Sequence, residues 1–437
     1  MSVFKLHGVR TPHRKHTEKS VPVRMPVPSQ VCIPVSMHIG APAVPAVKAG
    51  DSVAVGDCIA RESGFVSASV YSGVSGTVSK IDTLTMPNGV VTPTVIIDTD
   101  GLQTVSDTVK PPVLTDSASF IAAVRASGCV GMGGAGFPTA VKLNVQDLSR
   151  IRAVIINGAE CEPYITSDTR TMLDRTEALA DGIRLLEKYL GVTRVIIGIE
   201  KNKPAAIAAM RCLAKDDPCV EVKALPSLYP QGGEKVLIYH TLGAVVPEGK
   251  LPLDVGALVL NCTTLAFLSD YCRTGMPLVE KCITVDGSAV AKPANVIAPI
   301  GTRLEDVFAF CGGFSEVPEK VLYGGPMMGL AVPDLSYPIL KNTNAVLAFG
   351  AKEAVLPQAG PCIRCSRCIN HCPLRLNPPA IAHAFSAGDM QELSRLKVNL
   401  CMECGCCAYE CPANRPIVQN NKLAKAALAA YVRAHKE

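Results

Sequence analysis

The sequence predicts a multidomain α/β protein, and three features predict it. Between residues 152 and 262, short apolar runs alternate with segments of helical periodicity, the pattern of a largely parallel sheet with crossover helices. Ahead of that region, residues 31 to 100 are β-rich, with Pro and Gly at short spacing. Behind it, the tail from Gly360 is dense in cysteine and otherwise helical. A chain of 437 residues has room for roughly three domains. Hydrophobic residues at 48% against 19% charged residues put it in the globular class.

Composition also removes several function classes. Tryptophan is absent and aromatics make up 5%, so stacking platforms for nucleic acid are not expected, and nucleic acid is not an expected partner. The longest apolar stretch, "GALVLNCTTLAFL", is interrupted and shorter than the ~18 residues a membrane-spanning helix needs. The start, "MSVFKLHGVRTPHRKH", lacks the apolar run of a signal peptide, which leads us to expect an intracellular protein, soluble or peripheral to a membrane. In a reducing compartment, nineteen cysteines read as metal or cluster ligands and buried small hydrophobes, not as a disulfide framework.

Taken in order, residues 1–30 read as a basic arm, solvated in spite of His7, His13 and His16, which no cysteine or carboxylate cluster accompanies. Residues 31–110 form hairpin-like units that resemble the barrel-sandwich fold of biotinyl and lipoyl carriers. No lysine lies between Lys48 and Lys80, so covalent cofactor attachment is not expected, and a structural or docking module is. "KPPVLTD" is a linker, with Asp116 or Ser117 capping the helix that follows. Residues 116–275 hold strands at "RAVIING", "TRVIIGIE", "CVEVKAL" and "GALVLNC". Their helices are "DTRTMLDRTEALADGIRLLEKYLG", read as one element, then "KPAAIAAMRCLAK" and "GGEKVLIYHTLG". Residues 277–345 read as a small β-grasp-like α+β unit, and residues 355–437 as the cysteine domain with a C-terminal amphipathic helix.

The cysteine tail carries the most specific signal. "CIRCSRCINHCP" and "CMECGCCAYECP" each follow C-x₂-C-x₂-C-x₃-C-P, the run of two-cluster bacterial ferredoxins, in which the fourth cysteine of each run ligates the other cluster. The expected ligand sets are therefore Cys362, Cys365, Cys368 and Cys411 on one 4Fe–4S cluster, and Cys401, Cys404, Cys407 and Cys372 on the other. Zinc sites use C-x₂-C pairs but do not call for the third cysteine or the C-P ending. Cys406 is left over as a bystander.

"GMGGAG", residues 131 to 136, is a literal G-x-G-x-x-G, yet a dinucleotide loop of that type follows a strand and opens a helix. The preceding "FIAAVRASG" is helical in period and Pro138 follows directly, so these glycines are expected to serve another close backbone approach. Taken together and in this order, "GMGGAGFPTAVK", "NGAECEPYITSD", "YPQGGEKVLI" and "VLNCTTLAFL" resemble the FMN site of the NADH-binding flavoprotein subunit of respiratory complex I. With a barrel-sandwich domain before them, and a β-grasp unit of SLBB type and a double 4Fe–4S tail after, they resemble the RnfC family across essentially the whole chain. That family supplies the NADH-linked subunit of the Rnf ion-translocating ferredoxin:NAD oxidoreductase.

The resemblance implies a Rossmann-like α/β domain binding FMN, with NAD(H) as substrate. It implies that Gly131, Gly133, Gly134 and Gly136 lie against FMN, with Lys142 near its ring or phosphate. Asn157 and Glu160 would line the flavin edge, facing Gly232, Gly233 and Glu234, and Asn261 and Thr264 would hold the phosphate or ribityl chain. Phe137 is the candidate for stacking nicotinamide or adenine, although "LNV" stands where the complex I subunit has a further aromatic. No general acid or base is expected, because the cofactors carry the chemistry. Implied partners are integral-membrane and ferredoxin-like Rnf subunits, with ferredoxin reached indirectly, at the cytoplasmic face of the bacterial inner membrane. Cys161 is expected to be inert because two glutamates flank it. Two rivals are a cobalamin reductase-like flavin and iron–sulfur protein, and a flavin-free electron relay or scaffold subunit. Some 130 residues before the glycine loop favour the RnfC family over the first.

Overall fold

A computed structural model describes residues 7–435. The N-terminal domain packs two antiparallel sheets face to face. One orders strands Gln30–Pro34, Val91–Thr99, Gly76–Thr85 and Ser52–Val53, and the other orders Val44–Pro45, Cys58–Arg61 and Val70–Tyr71. Val31, Ile33, Ile59, Val70, Val78, Val95 and Ile97 fill the space between them. Alternation dictates this: every second residue of a strand faces the same side.

The central domain begins with helix Ser117–Ala126, capped by Asp116, whose carboxylate accepts from the Ser119 amide at 2.8 Å. Its sheet is fully parallel, in the order Val220–Leu225, Val195–Glu200, Ala153–Asn157, Ala257–Asn261. The strands are apolar on both faces because helices cover both. Val154, Ile156, Val195 and Ile197 meet the helices Thr176–Leu190 and Cys262–Thr274 on one side. Ile155 and Val259 meet helix Glu234–Leu242 on the other. The earliest strand lies third in this order: the chain runs outward from it through Val195–Glu200 to Val220–Leu225, then crosses back to Ala257–Asn261 on its other side. Such a switch point opens a crevice beyond the carboxyl ends of the strands, here between Asn157 and Asn261.

The third domain is a six-stranded mixed sheet carrying helix Leu304–Phe310, with Ile283, Val285, Val296, Val307, Phe308 and Val346 in its core. The last domain wraps helices Pro378–Ser386, Met390–Arg395 and Ile417–Ala434 around Ile381, Leu393, Val398 and Leu428, against Cys372 and Cys401. Among the described residues no helix is long and apolar enough to cross a membrane.

Two expectations are corrected. The helix read as one element is two, Ser167–Asp174 and Thr176–Leu190, because Arg175 takes non-helical backbone angles (φ −131°, ψ 36°) and pairs with Asp270 of a neighbouring helix. The arm is docked over its described part, although His13, Arg14 and His16 remain exposed. Val9 pairs with Tyr229 of the central domain in both directions (2.8 and 2.9 Å), and His7 bonds the Asn370 carbonyl in the cysteine domain (2.7 Å). Val23–Arg24 then adds an edge strand to the third domain's sheet.

Candidate functional site

The glycine loop lies at the switch-point crevice and is pinned from behind. The Met132 amide donates to Thr264 Oγ1 (3.0 Å), while the Met132 carbonyl accepts from Lys281 Nζ (3.1 Å). Asn342 Nδ2 holds the Gly134 carbonyl (3.2 Å), and the Gly131 amide closes the loop onto the Phe137 carbonyl (2.9 Å). A helix precedes the loop and the short helix Thr139–Leu143 follows it, as expected for a loop that is not of the dinucleotide type. The glycines differ in what excludes a side chain. A Cβ on Gly133 would lie 2.3 Å from Asn261 Nδ2, and Gly136 has φ +71°. A Cβ on Gly131 would come no nearer than 3.7 Å, and one on Gly134 would meet no protein atom within 4 Å. Protein packing thus explains Gly133 and Gly136, while Gly134 faces open space on the crevice side.

Side chains from two strand ends and from neighbouring helices converge there. Asn157 Nδ2 donates to the Gly232 carbonyl (2.9 Å). Lys142 Nζ reaches Glu234 (3.0 Å) and the Val259 carbonyl (3.0 Å), so this cation and anion are paired at the crevice wall. Asn261 caps helix Cys262–Thr274 by accepting from the Thr264 amide (3.1 Å), and its Nδ2 donates to Asp168 (2.7 Å). Thr264 is buried, and its hydroxyl is engaged by the loop. Phe137 is half-buried at the loop's end.

Glu160 has a different surrounding from the others. Its carboxylate accepts from the Asp168 amide (2.7 Å) and from the Thr169 hydroxyl (2.5 Å), serving the start of helix Ser167–Asp174, whose own N-cap Thr166 makes no side-chain cap bond. The segment around it curls with positive φ at Glu160 (47°) and Tyr164 (71°). The three ammonium donors of Lys15 bond the carbonyls of Glu160, Glu162 and Ile165. Lys203, only 2% exposed, bonds the Ala159 carbonyl (2.6 Å) and Glu200 (2.9 Å). Burial pushes the Glu160 carboxyl up and the Lys15 ammonium down, each partly opposed by the other's charge. Glu162 accepts from the Met327 and Met328 amides (3.0 and 2.9 Å), and burial raises its carboxyl to about 7. Burial is also the main reason that the Cys161 thiol is raised to about 12, ahead of the charge of Glu200 and then Glu162, so the flanking-charge argument had the order of causes wrong.

The crevice abuts the cysteine domain. A Cβ on Gly233 would lie 2.3 Å from the methyl of Met402. Tyr229 donates its hydroxyl to the Cys404 carbonyl (2.8 Å), and Cys406 Sγ donates to the Tyr229 carbonyl (3.8 Å). Cys406 thus points at the central domain and holds this contact. Cys372, Cys401, Cys404 and Cys407 line one small cavity, closed by Leu374, Leu376 and Val418. Cys368 packs beside Cys411, and Cys362 and Cys365 are exposed. Four thiols around an apolar hollow suit a soft iron–sulfur group held by thiolates.

Sequence reasoning missed Lys15, Asp168, Tyr229 and Lys281. A buried lysine carries no signal in a sequence, because lysine is ordinarily a surface residue. Burial lowers the Lys281 ammonium to about 8.

Comparison with known proteins gives four matches in the same order as these domains. Residues 4–102 match the RnfC barrel sandwich hybrid domain, 124–270 the Nuo51 FMN-binding domain, 282–331 the SLBB domain and 361–415 the 4Fe-4S dicluster domain. The RnfC-type subunit of the proton-translocating ferredoxin:NAD(+) oxidoreductase complex of Clostridium ljungdahlii is 39% identical, over 90% of this chain and 86% of that protein. The corresponding subunit of the ion-translocating oxidoreductase complex of Rhodobacter capsulatus is 39% identical, over 97% and 82%. That of the Na(+)-translocating ferredoxin:NAD(+) oxidoreductase complex of Acetobacterium woodii is 38% identical, over 86% of each. Among solved structures, NAD+-reducing NiFe hydrogenase in its air-oxidised state shares the fold. Its TM-score is 0.52 at 20% identity, covering 74% of this chain and 66% of the hydrogenase chain.

Proposed function

We propose, from the premise that the chain belongs to the RnfC family of subunits of ion-translocating ferredoxin:NAD(+) oxidoreductase complexes, that its switch-point crevice is where NAD(H) exchanges electrons with the complex. The protein is an electron-transfer subunit of a multisubunit oxidoreductase, with FMN and two 4Fe–4S clusters as cofactors. FMN supplies the conversion between hydride and single electrons. The observation that carries the reading is contact: the loop at Tyr229 and Gly233 joins the crevice directly to the segment bearing Cys404.

The chain's own residues bind and orient. The open side of Gly134 leaves room for a planar or phosphorylated group against backbone. Lys142 offers a cation at the crevice wall, and Asn157 and Asn261 fix the two strand ends that bound it. Glu160 acts on the crevice through the backbone it anchors. Cys372, Cys401, Cys404 and Cys407 would hold the cluster beside the crevice, and Cys362, Cys365, Cys368 and Cys411 the one nearer the surface. In this reading the exposed pair of cysteines marks the side that meets the ferredoxin-like or integral-membrane subunits. Ferredoxin itself is reached indirectly, and the chain sits peripherally at the cytoplasmic face of the inner membrane.

The test is cofactor content. Anaerobically purified protein should carry one FMN and about eight iron atoms per chain. Flavin-free protein with both clusters intact would leave an electron relay in place of the NADH-linked subunit.

A further inference from the structure

The C-terminal helix Ile417–Ala434 buries Ile417, Asn421, Ala424 and Leu428, a stripe one helical face wide. Three of these are apolar, and the fourth is an amide. Asn421 is 1% exposed, and its Oδ1 has no hydrogen-bond partner. A buried, half-satisfied amide in a stripe that leucine would fill costs stability, so its other end should do something useful. That end, Nδ2, lies 3.8 Å from Cys401 Sγ, and Asn421 lines the cavity shared by Cys372, Cys401, Cys404 and Cys407. The assignment of N and O is chemically required, since a thiolate accepts a hydrogen bond and would repel a carbonyl oxygen. One turn further along the same face, Lys425 Nζ donates to the Cys401 carbonyl (2.9 Å) and pairs with Glu403 (3.0 Å).

We propose that Asn421, with Lys425 behind it, sets the reduction potential of the crevice-side cluster, holding it higher than its cysteine ligands and apolar walls would give. The proposal rests on these four cysteines holding a 4Fe–4S cluster, as put forward under the proposed function. Reduction adds one electron to the cluster and its thiolates. An amide N–H aimed at a ligand sulfur, and an ammonium on the same ligand's carbonyl, both favour the more negative state. The Leu376 amide makes a similar approach to Cys372 Sγ (3.3 Å), but as backbone it is not open to adjustment by side-chain choice. Asn421 and Lys425 both bond Cys401, so their effect falls mainly on the cluster that Cys401 would hold.

The experiment is an EPR-monitored redox titration of the anaerobically purified full chain, with iron counted in each sample. Asn421→Leu keeps the volume and removes the donor, and Lys425→Met removes the charge while leaving all eight cysteines in place. Each variant should keep wild-type iron and shift one cluster signal to more negative potential, leaving the other where it was. The shifted signal should be the one lost in Cys407→Ala. At the wild-type midpoint, the ratio of oxidised to reduced cluster should rise about fivefold, the size of one ordinary net hydrogen bond, because both states of the cluster accept the bond and only the difference between them counts. Asn421→Asp should shift the same signal further. Should Asn421→Leu lose iron, Lys425→Met decides alone. Full iron with unmoved midpoints would overturn the proposal while leaving the cluster assignment standing. Wild-type protein with only one cluster would instead overturn the assignment on which it rests.

Discussion

Substituting the two neighbouring glycines of the loop should give opposite outcomes, because one is constrained by protein and the other only by what the crevice receives. Alanine at Gly133 places its Cβ 2.3 Å from Asn261 Nδ2 and 2.8 Å from its Cγ, so the asparagine must move. Moving it costs the cap on helix Cys262–Thr274, worth about 1 kcal/mol. It also breaks the 2.7 Å bond to Asp168, worth about 1.5–3 kcal/mol for a charged acceptor. Gly133→Ala should therefore destabilise the protein by about 2.5–4 kcal/mol and lose flavin as a consequence. A Cβ on Gly134 meets no protein atom within 4 Å, and Gly134 does not have the positive φ that would penalise a side chain. Its stability should stay within about 0.5 kcal/mol of wild type while FMN content falls to near zero. Thermal unfolding, bound flavin and iron, measured on the same preparations, separate the two effects. Wild-type flavin content in Gly134→Val would sink the idea, since the open side of that glycine would then face nothing the protein binds.

Other outcomes follow from the cysteines and the buried carboxyl. Cys411→Ala should disturb the cluster built on Cys362, Cys365 and Cys368, beside which it packs, and spare the Cys401 cluster; resonance spectra showing the reverse would break the crossed pairing. Glu162 has its carboxyl raised from the ordinary 4.5 to about 7, so between these values the native state binds more protons than the unfolded chain. Its contribution to stability is present below pH 4.5 and is lost as pH rises through about 7. Glu162→Gln should thus flatten the decline in melting temperature between about pH 4.5 and 7, and an unchanged slope would mean that this carboxyl is not buried as described.

Much of this architecture was legible because it is written in short-range patterns. Strand and helix order follows from hydrophobic period and from glycines such as Gly191 and Gly243, both left-handed at helix ends. The cysteine runs were legible because cluster chemistry dictates ligand spacing. The break at Arg175 was not, since the helical period continues through it and its ion pair with Asp270 joins residues far apart in the chain. The arm was misread for a similar reason. Its basic residues look solvated until partners far along the chain, at Tyr229, Asn370 and Asp286, come together around them. The motif residues come together around the crevice, but their contacts divide: Lys142 and Asn157 bond across its wall, whereas Glu160 and Thr264 hold its backbone. Lys281 and Lys341, which fix the glycine loop and its approach from behind, gave no sign in the sequence.

If one chain takes electrons from NADH at the crevice and passes them to its own clusters, the transfer must be visible in the isolated protein. Rapid anaerobic mixing of the FMN-loaded chain with excess NADH follows flavin absorbance and cluster reduction together. Oxidised flavin absorbance should fall first, followed by reduction of both clusters, the Cys401 cluster included, with no other protein present. Flavin that stays oxidised while FMN and iron are at full content would contradict this.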